Sequence, residues 1–203
     1  MALTERALAW LATLSREPRP MPTAQVERAI AAAGGTAHAA WLDFHEAYAG
    51  YIEEIGPGEI AIWGLARSAN ATPPPIWVLP EAVFIVPPEH GLPEAIRCAD
   101  VHPVHGYELG VDGVFDGIGG PAETFEMKLE RHGVMKAFYD RGKVSQTLLT
   151  RDAEAPQHQQ LLADMAPALV PEASDRGTKL YLEPKRLLRF NPLIKQLVLF
   201  ELA

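Results

Sequence analysis

The sequence predicts an α+β fold in which helices and strands occupy separate stretches of the chain. Three observations predict it: apolar residues recur at helical spacing before residue 50, short β-rich runs occupy residues 51–120, and helical spacing returns after residue 121. The spacers between the β-rich runs are too short for the helical crossovers of a parallel sheet. We therefore expect N-terminal helices, a central antiparallel or mixed sheet of about six short strands, flanking C-terminal helices and a terminal strand pair.

Three helices are expected in the first third of the chain. Apolar side chains at helical spacing predict a helix over residues 3–15, and the proline-rich segment 17–22 ends it. Thr23 is a suitable cap for a second helix, which Gly34-Gly35 terminates. A third helix is expected over residues 37–48, where an apolar stripe is typical of a buried helix face.

Short β-rich runs in the middle third predict the strands of the sheet. They are bounded by glycine and proline, as strands of an antiparallel sheet commonly are. Asp112-Gly113 favours a hairpin turn. The six runs are Glu59–Leu65, Ile76–Leu79, Val83–Val86, Ile96–Val101, Val104–Leu109 and Gly113–Phe115.

Helical spacing returns in the last third and then gives way to strands. Helices are expected over residues 122–140 and 156–166, and proline stops the second of them. Two strand-like runs follow, Lys179–Glu183 and Gln196–Leu202, around the basic stretch Lys185–Arg189. These two runs form the predicted terminal strand pair.

The predicted organisation is a single domain with appendages. A chain of 203 residues is long enough to bury a core without disulfides or metals. We expect residues 1–22 to form an N-terminal helix and a proline-rich linker. Residues 23–203 are expected to form one α+β domain, whose residues 141–203 are a C-terminal extension.

The net charge of −8 is concentrated in the middle third of the chain. Residues 51–120 contain ten acidic side chains and two basic ones, Arg67 and Arg97. An acidic segment repels nucleic acid and anionic lipid, so neither nucleic acid nor a membrane is an expected partner. It attracts a basic protein and speeds its association. Solubility alone is the alternative explanation for the charge.

Composition excludes several classes of protein. The single cysteine, Cys98, excludes a disulfide framework and a zinc site built of several cysteines. No apolar run approaches the length of a membrane-spanning helix, about 20 residues. Glu5 and Arg6 stand where an export signal would be basic and then apolar, so we expect a cytoplasmic protein.

No motif in the chain predicts catalysis or a cofactor site. His102 and His105 form the only close histidine pair, with Asp100 nearby. Pro103 favours extended backbone, which points residues three apart to opposite faces. No serine lies in a nucleophile elbow, and Gly117–Pro121 lacks the lysine of a phosphate-binding loop. We therefore expect no catalytic residue, no metal and no cofactor, and a metal-dependent hydrolase that uses the two histidines is the alternative.

The block from Thr23 to Gly50 resembles the N-terminal signature of the SUKH (SMI1/KNR4-like) superfamily. In that signature, a helix similar to TAQVERAIAAAGG leads to a second helix with aromatic residues and then to a glycine. The family also has a strand, a DG hairpin and a further strand before a helix that opens with an aromatic residue, and residues 107–129 are similar. The resemblance covers residues 23–140, with Gly34-Gly35-Thr36 where the family usually has Leu-Pro. The aromatic residues of the second helix are Trp41, Phe44 and Tyr48.

The resemblance implies an α+β domain whose bacterial members commonly act as immunity proteins. Such proteins bind and neutralise a cognate toxin, often a nuclease or another toxic enzyme domain. The acidic middle third suits a basic toxin, since a nuclease must hold phosphate. An interaction or regulatory module without inhibition is the alternative within the same superfamily. The side chains expected to contact the toxin are Glu53, Glu54, Glu59, Glu89, Glu94, Asp112 and Asp116.

Overall fold

The protein divides into two compact units. The central unit is Leu14–Pro121, and the flanking unit is Met1–Thr13 together with Ala122–Ala203. Apart from the side chain of Thr150, the structure, a computed structural model, describes residues 2–88, 93–101, 106–116, 124–150 and 155–203.

Helices and strands lie in separate stretches of the described residues, which confirms the α+β class. Among the helices described, none has both the length and the apolar character needed to span a bilayer. The helices are α1 (Glu5–Leu11), α2 (Thr23–Ala32), α3 (Ala39–Tyr48), α4 (Phe125–Tyr139) and α5 (Pro156–Met165), and 3-10 turns follow at Ala166–Ala168 and Pro171–Ala173. The strands are β1 (Ser15–Arg16), β2 (Tyr51–Gly56), β3 (Glu59–Trp63), β4 (Ile85–Val86), β5 (Ala95–Arg97), β6 (Ala99–Asp100), β7 (Glu108–Gly110), β8 (Phe115–Asp116), β9 (Val144–Thr150), β10 (Lys179–Leu182), β11 (Arg186–Asn191) and β12 (Gln196–Leu202).

The central unit contains two four-stranded antiparallel sheets that share one stretch of chain. Their strand orders are β1-β2-β3-β6 and β4-β5-β7-β8. Only Cys98 separates β5 from β6. Its carbonyl accepts from the Gly64 N–H at 3.0 Å, and its own N–H donates to the Tyr107 carbonyl at 2.9 Å. Residues 95–100 therefore run from one sheet into the other as a single extended segment.

An aromatic core lies between the sheets and helix α3 of the central unit. The rings of Trp63 and Tyr107 meet edge to face with centroids 4.8 Å apart, and the Phe115 ring lies 5.9 Å from each. Trp41 on α3 is fully buried, and its Nε1 donates to the Leu109 carbonyl at 2.9 Å. The aromatic stripe predicted for this helix is therefore core, and it attaches α3 to the strands.

The flanking unit is a four-stranded antiparallel sheet in the order β10-β11-β12-β9, with apolar clusters on both faces. The two strands of the predicted terminal pair, β10 and β12, are not neighbours in this sheet, because the basic stretch after Pro184 forms β11 between them. Strand β9 pairs with the other edge of β12. Leu187 shares a buried cluster with Phe138 of α4, whereas Leu188 shares one with Met165 of α5. Because both faces of the sheet are covered, consecutive residues of β11 are apolar. The alternation of apolar and polar residues, typical of a strand with one face in solvent, is absent.

Helix α1 packs against α4 at a glycine. A Cβ on Gly133 would lie 2.8 Å from the Ala7 nitrogen, so a larger residue would push the helices apart. Glu130 is fully buried and accepts hydrogen bonds from the N–H and the Oγ1 of Thr4, both at 2.6 Å. These contacts place α1 in the flanking unit, whereas the sequence predicts residues 1–22 as an appendage of the following domain.

Residues 76–79 are a loop and not the strand predicted from their sequence. The N–H groups of Ile76, Trp77 and Val78 donate to the Asp100 carboxylate at 2.8, 2.9 and 3.2 Å, so they are not available to a neighbouring strand. Thr23 also differs from its prediction as a helix cap. It is the first residue of α2, and Pro22 holds the cap position.

Candidate functional site

The central unit carries the net negative charge of the protein. Residues 14–121 contain fourteen acidic and five basic side chains, a formal charge of −9, whereas the remaining residues have a formal charge of +1. Two of the basic side chains face internal partners. Arg67 is 2% exposed and pairs with two carboxylates, and Arg97 is half-buried over the Phe84 ring. Three carboxylates, Glu17, Glu53 and Asp100, are buried as well, and an excess of acidic over basic side chains remains on the surface of this unit.

Glu54 and Glu59 lie on the β2–β3 hairpin, and both are exposed. The strand register pairs Glu54 with Ile60 and Gly56 with Glu59. Both carboxylates therefore lie close to the hairpin turn. The structure places these two residues of the predicted contact surface on one hairpin.

Glu53 lies on the opposite face of β2 and is only 5% exposed. Side chains alternate between the faces of a strand, so Glu53 and its neighbour Glu54 cannot both face solvent. Burial raises the pKa of the Tyr107 hydroxyl, and the negative charge of Glu53 raises it further. Glu53 therefore lies in the interior beside the aromatic core, which corrects its expected place on the acidic surface.

A second group of predicted contact residues lies along the other sheet of the central unit. Glu94 is half-buried, and its Oε1 lies 3.9 Å from Nε2 of His38. Asp112 is exposed between β7 and β8, where its Oδ1 accepts from the Val114 N–H at 3.1 Å. This bond stabilises the hairpin turn predicted at Asp112-Gly113. Glu89 lies outside the described residues.

Asp116 on β8 lies directly opposite Glu108 on β7. Side chains at such paired positions share one face of a sheet, and like charges placed there repel each other. Arg97 on β5 lies opposite Glu108 on the other side, so one basic side chain of the same unit stands beside these two carboxylates. Glu108 is not among the contact residues predicted from the sequence. A hairpin with its turn at Asp112-Gly113 pairs residue 108 with residue 116, and this pairing is the signal that could have located it.

Arg67 forms a buried ion cluster with Glu17 and Asp100, which we call the Arg67 cluster. Its Nη1 donates to Asp100 at 2.7 Å, and its Nη2 donates to Glu17 at 2.6 Å. All three side chains are at most 6% exposed. Arg67 also donates to the carbonyls of Pro73 and Pro74. The cluster therefore holds the proline-rich loop against the segment shared by the two sheets, a role that no local sequence signal indicates.

The alternative metal site falls mostly outside the described residues. His102 and His105 are not described, and neither is the glycine loop 117–121. Asp100, the third candidate ligand, is occupied by Arg67 and by three backbone N–H groups. In the part of the chain that the structure describes, no three histidine, cysteine or acidic side chains are arranged to hold a metal ion.

His45 on α3 is buried and has a defined tautomer. The Leu65 N–H donates to Nδ1 at 3.1 Å, so Nε2 carries the proton and donates to the Met21 carbonyl at 2.7 Å. Burial lowers the pKa of His45 from its ordinary value. The bond to Met21 opposes this shift, the charge of Arg16 adds to it, and the charge of Glu17 opposes it. The neutral ring therefore links α3 to Met21, which precedes the helix in the chain, and to Leu65, which follows it.

No protein-family model matches the chain, and neither a curated protein nor a solved structure matches it. The resemblance to the SUKH superfamily therefore rests on the sequence pattern alone. The function is best inferred from the distribution of charge and from the contacts of the central unit.

Proposed function

We propose that this chain is an immunity protein of the SUKH type, which binds a basic bacterial toxin in the cytoplasm of the producing cell and blocks it. One observation carries the proposal, namely the formal charge of −9 on the central unit against +1 on the remaining residues. A surface of one sign attracts partners of the opposite sign and raises their association rate.

The exposed carboxylates of the central unit supply the binding mechanism. A toxin that acts on nucleic acid holds phosphate with basic side chains, and carboxylates that pair with those side chains occlude its substrate site. A standard interface covers about 800 Å² of each partner, a small share of the 10662 Å² surface of this protein. The carboxylates that we place in the interface are Glu54, Glu59, Glu94, Glu108, Asp112 and Asp116.

Affinity purification of the tagged chain from its native host tests for the toxin. We expect a stoichiometric basic protein that is toxic when expressed alone and harmless when this chain is co-expressed. A bound partner whose activity is unchanged would contradict inhibition and favour the non-inhibitory interaction module. Recovery of no partner while the neighbouring genes are expressed would overturn the proposal.

Charge reversal on the β2–β3 hairpin tests the acidic surface. Combining Glu54→Lys with Glu59→Lys is expected to lower the association rate with the purified toxin by about tenfold and to reduce its dependence on salt. The matched control combines Asp164→Lys with Glu201→Lys, which reverses two exposed charges of the flanking unit. Equal losses in the two variants would show that net charge drives binding and that this surface does not.

A further inference from the structure

The central unit contains a cavity of about 170 Å³ beside the Arg67 cluster. Its wall is formed by residues 64–67, by part of the loop 77–84 and by Arg97, Ala99 and Asp100 of the segment shared by the two sheets. Three apolar side chains that line it are nevertheless exposed: Trp77 at 54%, Leu79 at 76% and Phe84 at 55%. Small-molecule sites usually have such a lining, apolar with few polar groups.

Arg97 is the cation of this cavity that forms no ion pair among the described residues. Its guanidinium lies over the Phe84 ring, 4.8 Å from the centroid. Glu108 stands opposite it on β7, but no ion pair joins the two side chains. Within the described residues, the buried Nε of Arg97 has no hydrogen-bond acceptor.

Arg67, which also lines the cavity, has a second buried donor without an acceptor among the described residues. The two Nη atoms of Arg67 bond Asp100 and Glu17, but its buried Nε has no acceptor among the described residues. Buried N–H groups without acceptors are rare, because each one costs free energy. Both Nε atoms are almost completely shielded from solvent, so a ligand in the cavity meets the charge of Arg97 and not these two N–H groups.

We propose that this cavity binds a small apolar carboxylic acid. The carboxylate lies on the guanidinium of Arg97, and the hydrocarbon part lies among Trp77, Leu79 and Phe84. A planar guanidinium matches a carboxylate in shape as well as in charge. The charge of Arg67 is already balanced by two carboxylates, so Arg97, the arginine without an ion pair, fits a monoanion.

The volume of the cavity sets the size of the acid. A cavity of about 150 Å³ accommodates benzene, so this one has room for a single ring or a branched chain. The site does not depend on the proposed neutralisation of a toxin. If the cavity does not bind a carboxylic acid, the proposal that the acidic surface binds a toxin still stands.

Binding of phenylacetate to the full chain tests the proposal, with phenylacetamide as the uncharged counterpart. Calorimetry is expected to show saturable binding of one phenylacetate, and binding of phenylacetamide at least about tenfold weaker, because a charge-assisted hydrogen bond is lost. Trp77 is the exposed member of the four tryptophans, so fluorescence reports on this cavity. Trp77→Phe is expected to remove the fluorescence change while calorimetric binding persists.

Arg97→Gln is expected to weaken phenylacetate binding about tenfold or more and to equalise the affinities for acid and amide. The matched control is Arg28→Gln, at an exposed arginine of the same unit, which should change neither affinity. Leu79→Glu, at an exposed position where folding is not at risk, adds a negative charge to the cavity. It should weaken binding of the acid more than binding of the amide, because both lose the contact with Leu79 and only the acid meets the added charge.

Three results would overturn the proposal. The first is no saturable binding of phenylacetate or of isovalerate below about 10 mM. The second is equal affinity of the wild-type chain for phenylacetate and phenylacetamide, or an Arg97→Gln affinity equal to that of the wild type. The third is tighter binding of the tripeptide Gly-Gly-Phe than of phenylacetate, which would assign the cavity to the carboxyl end of a peptide.

Discussion

Replacement of Arg67 by methionine is expected to destabilise the central unit. The variant keeps a long apolar side chain but leaves Glu17 and Asp100 buried without their cation. Asp100 retains its three backbone N–H donors, whereas the Glu17 carboxylate keeps no hydrogen bond among the described residues. Removal of one partner of a buried ion pair costs about 3–5 kcal/mol. Because Asp100 keeps part of its compensation, we expect a loss of about 3 kcal/mol.

Urea unfolding measures this loss. Trp41 and Trp63 are buried in the central unit, so their fluorescence reports on its unfolding. A loss of about 3 kcal/mol is a large part of the stability of an ordinary domain. It shifts the midpoint of unfolding by roughly 1–2 M urea. The matched control is Lys136→Met, in a pair with Asp140 whose side chains are 43% and 59% exposed, and it should cost less than about 0.5 kcal/mol.

A combined variant separates unpaired charge from lost packing. Arg67→Met with Glu17→Gln and Asp100→Asn removes all three charges and is expected to recover part of the stability lost by Arg67→Met. If Arg67→Met costs no more than Lys136→Met, the reasoning from buried charge is refuted. If the combined variant is no more stable than Arg67→Met, the loss comes from packing.

Three further predictions concern buried groups. Burial lowers the pKa of His45 from 6.5, so the contribution of the neutral ring to stability is fully present above pH 6.5. Below pH 6.5 the unfolded chain binds the proton before the folded chain does. The free energy of unfolding therefore falls by up to about 1.4 kcal/mol per pH unit. His45→Gln should lack this slope in urea titrations between about pH 7.5 and 5.5, and an unchanged slope would contradict it. Gly133→Ala places a Cβ against Ala7 and is expected to lower the free energy of unfolding by about 1–3 kcal/mol, although alanine has the higher helix propensity. An unchanged thermal midpoint would contradict the packing of α1 on α4. Thr4→Val removes a hydroxyl donor to buried Glu130 and should cost about 1–3 kcal/mol by calorimetry, whereas Thr4→Ser should keep most of the stability.

Local patterns in the sequence predict most of the helices but only part of the strand pairing. Helix α3 and helix α4 have apolar side chains at helical spacing, a signal contained within one segment. The pairing of β9 with β12 joins residues about fifty positions apart, and no local signal specifies it. In β11, burial on both faces removes the alternation by which a strand is recognised.

The candidate site shows the same division between local and distant information. The exposure of Glu54 and Glu59 follows from their place beside a glycine turn. The sequence does not predict the burial of Glu53, because residues 51–56 lack the regular apolar alternation that indicates a strand with one buried face. The partners of Arg67 lie 33 and 50 positions away in the chain, at distances where sequence spacing carries no information on contact.

The flanking unit is built from both ends of the chain, so the order of synthesis separates the folding of the two units. After α1 leaves the ribosome, more than a hundred residues must be translated before α4 exists, which takes roughly 5–25 s at ordinary elongation rates. Throughout this interval Ala7 and Trp10 lack the helix that later buries them, and the nascent helix is a natural substrate for a chaperone. The central unit is complete at residue 121, so its acidic surface can form on the nascent chain before the flanking unit exists.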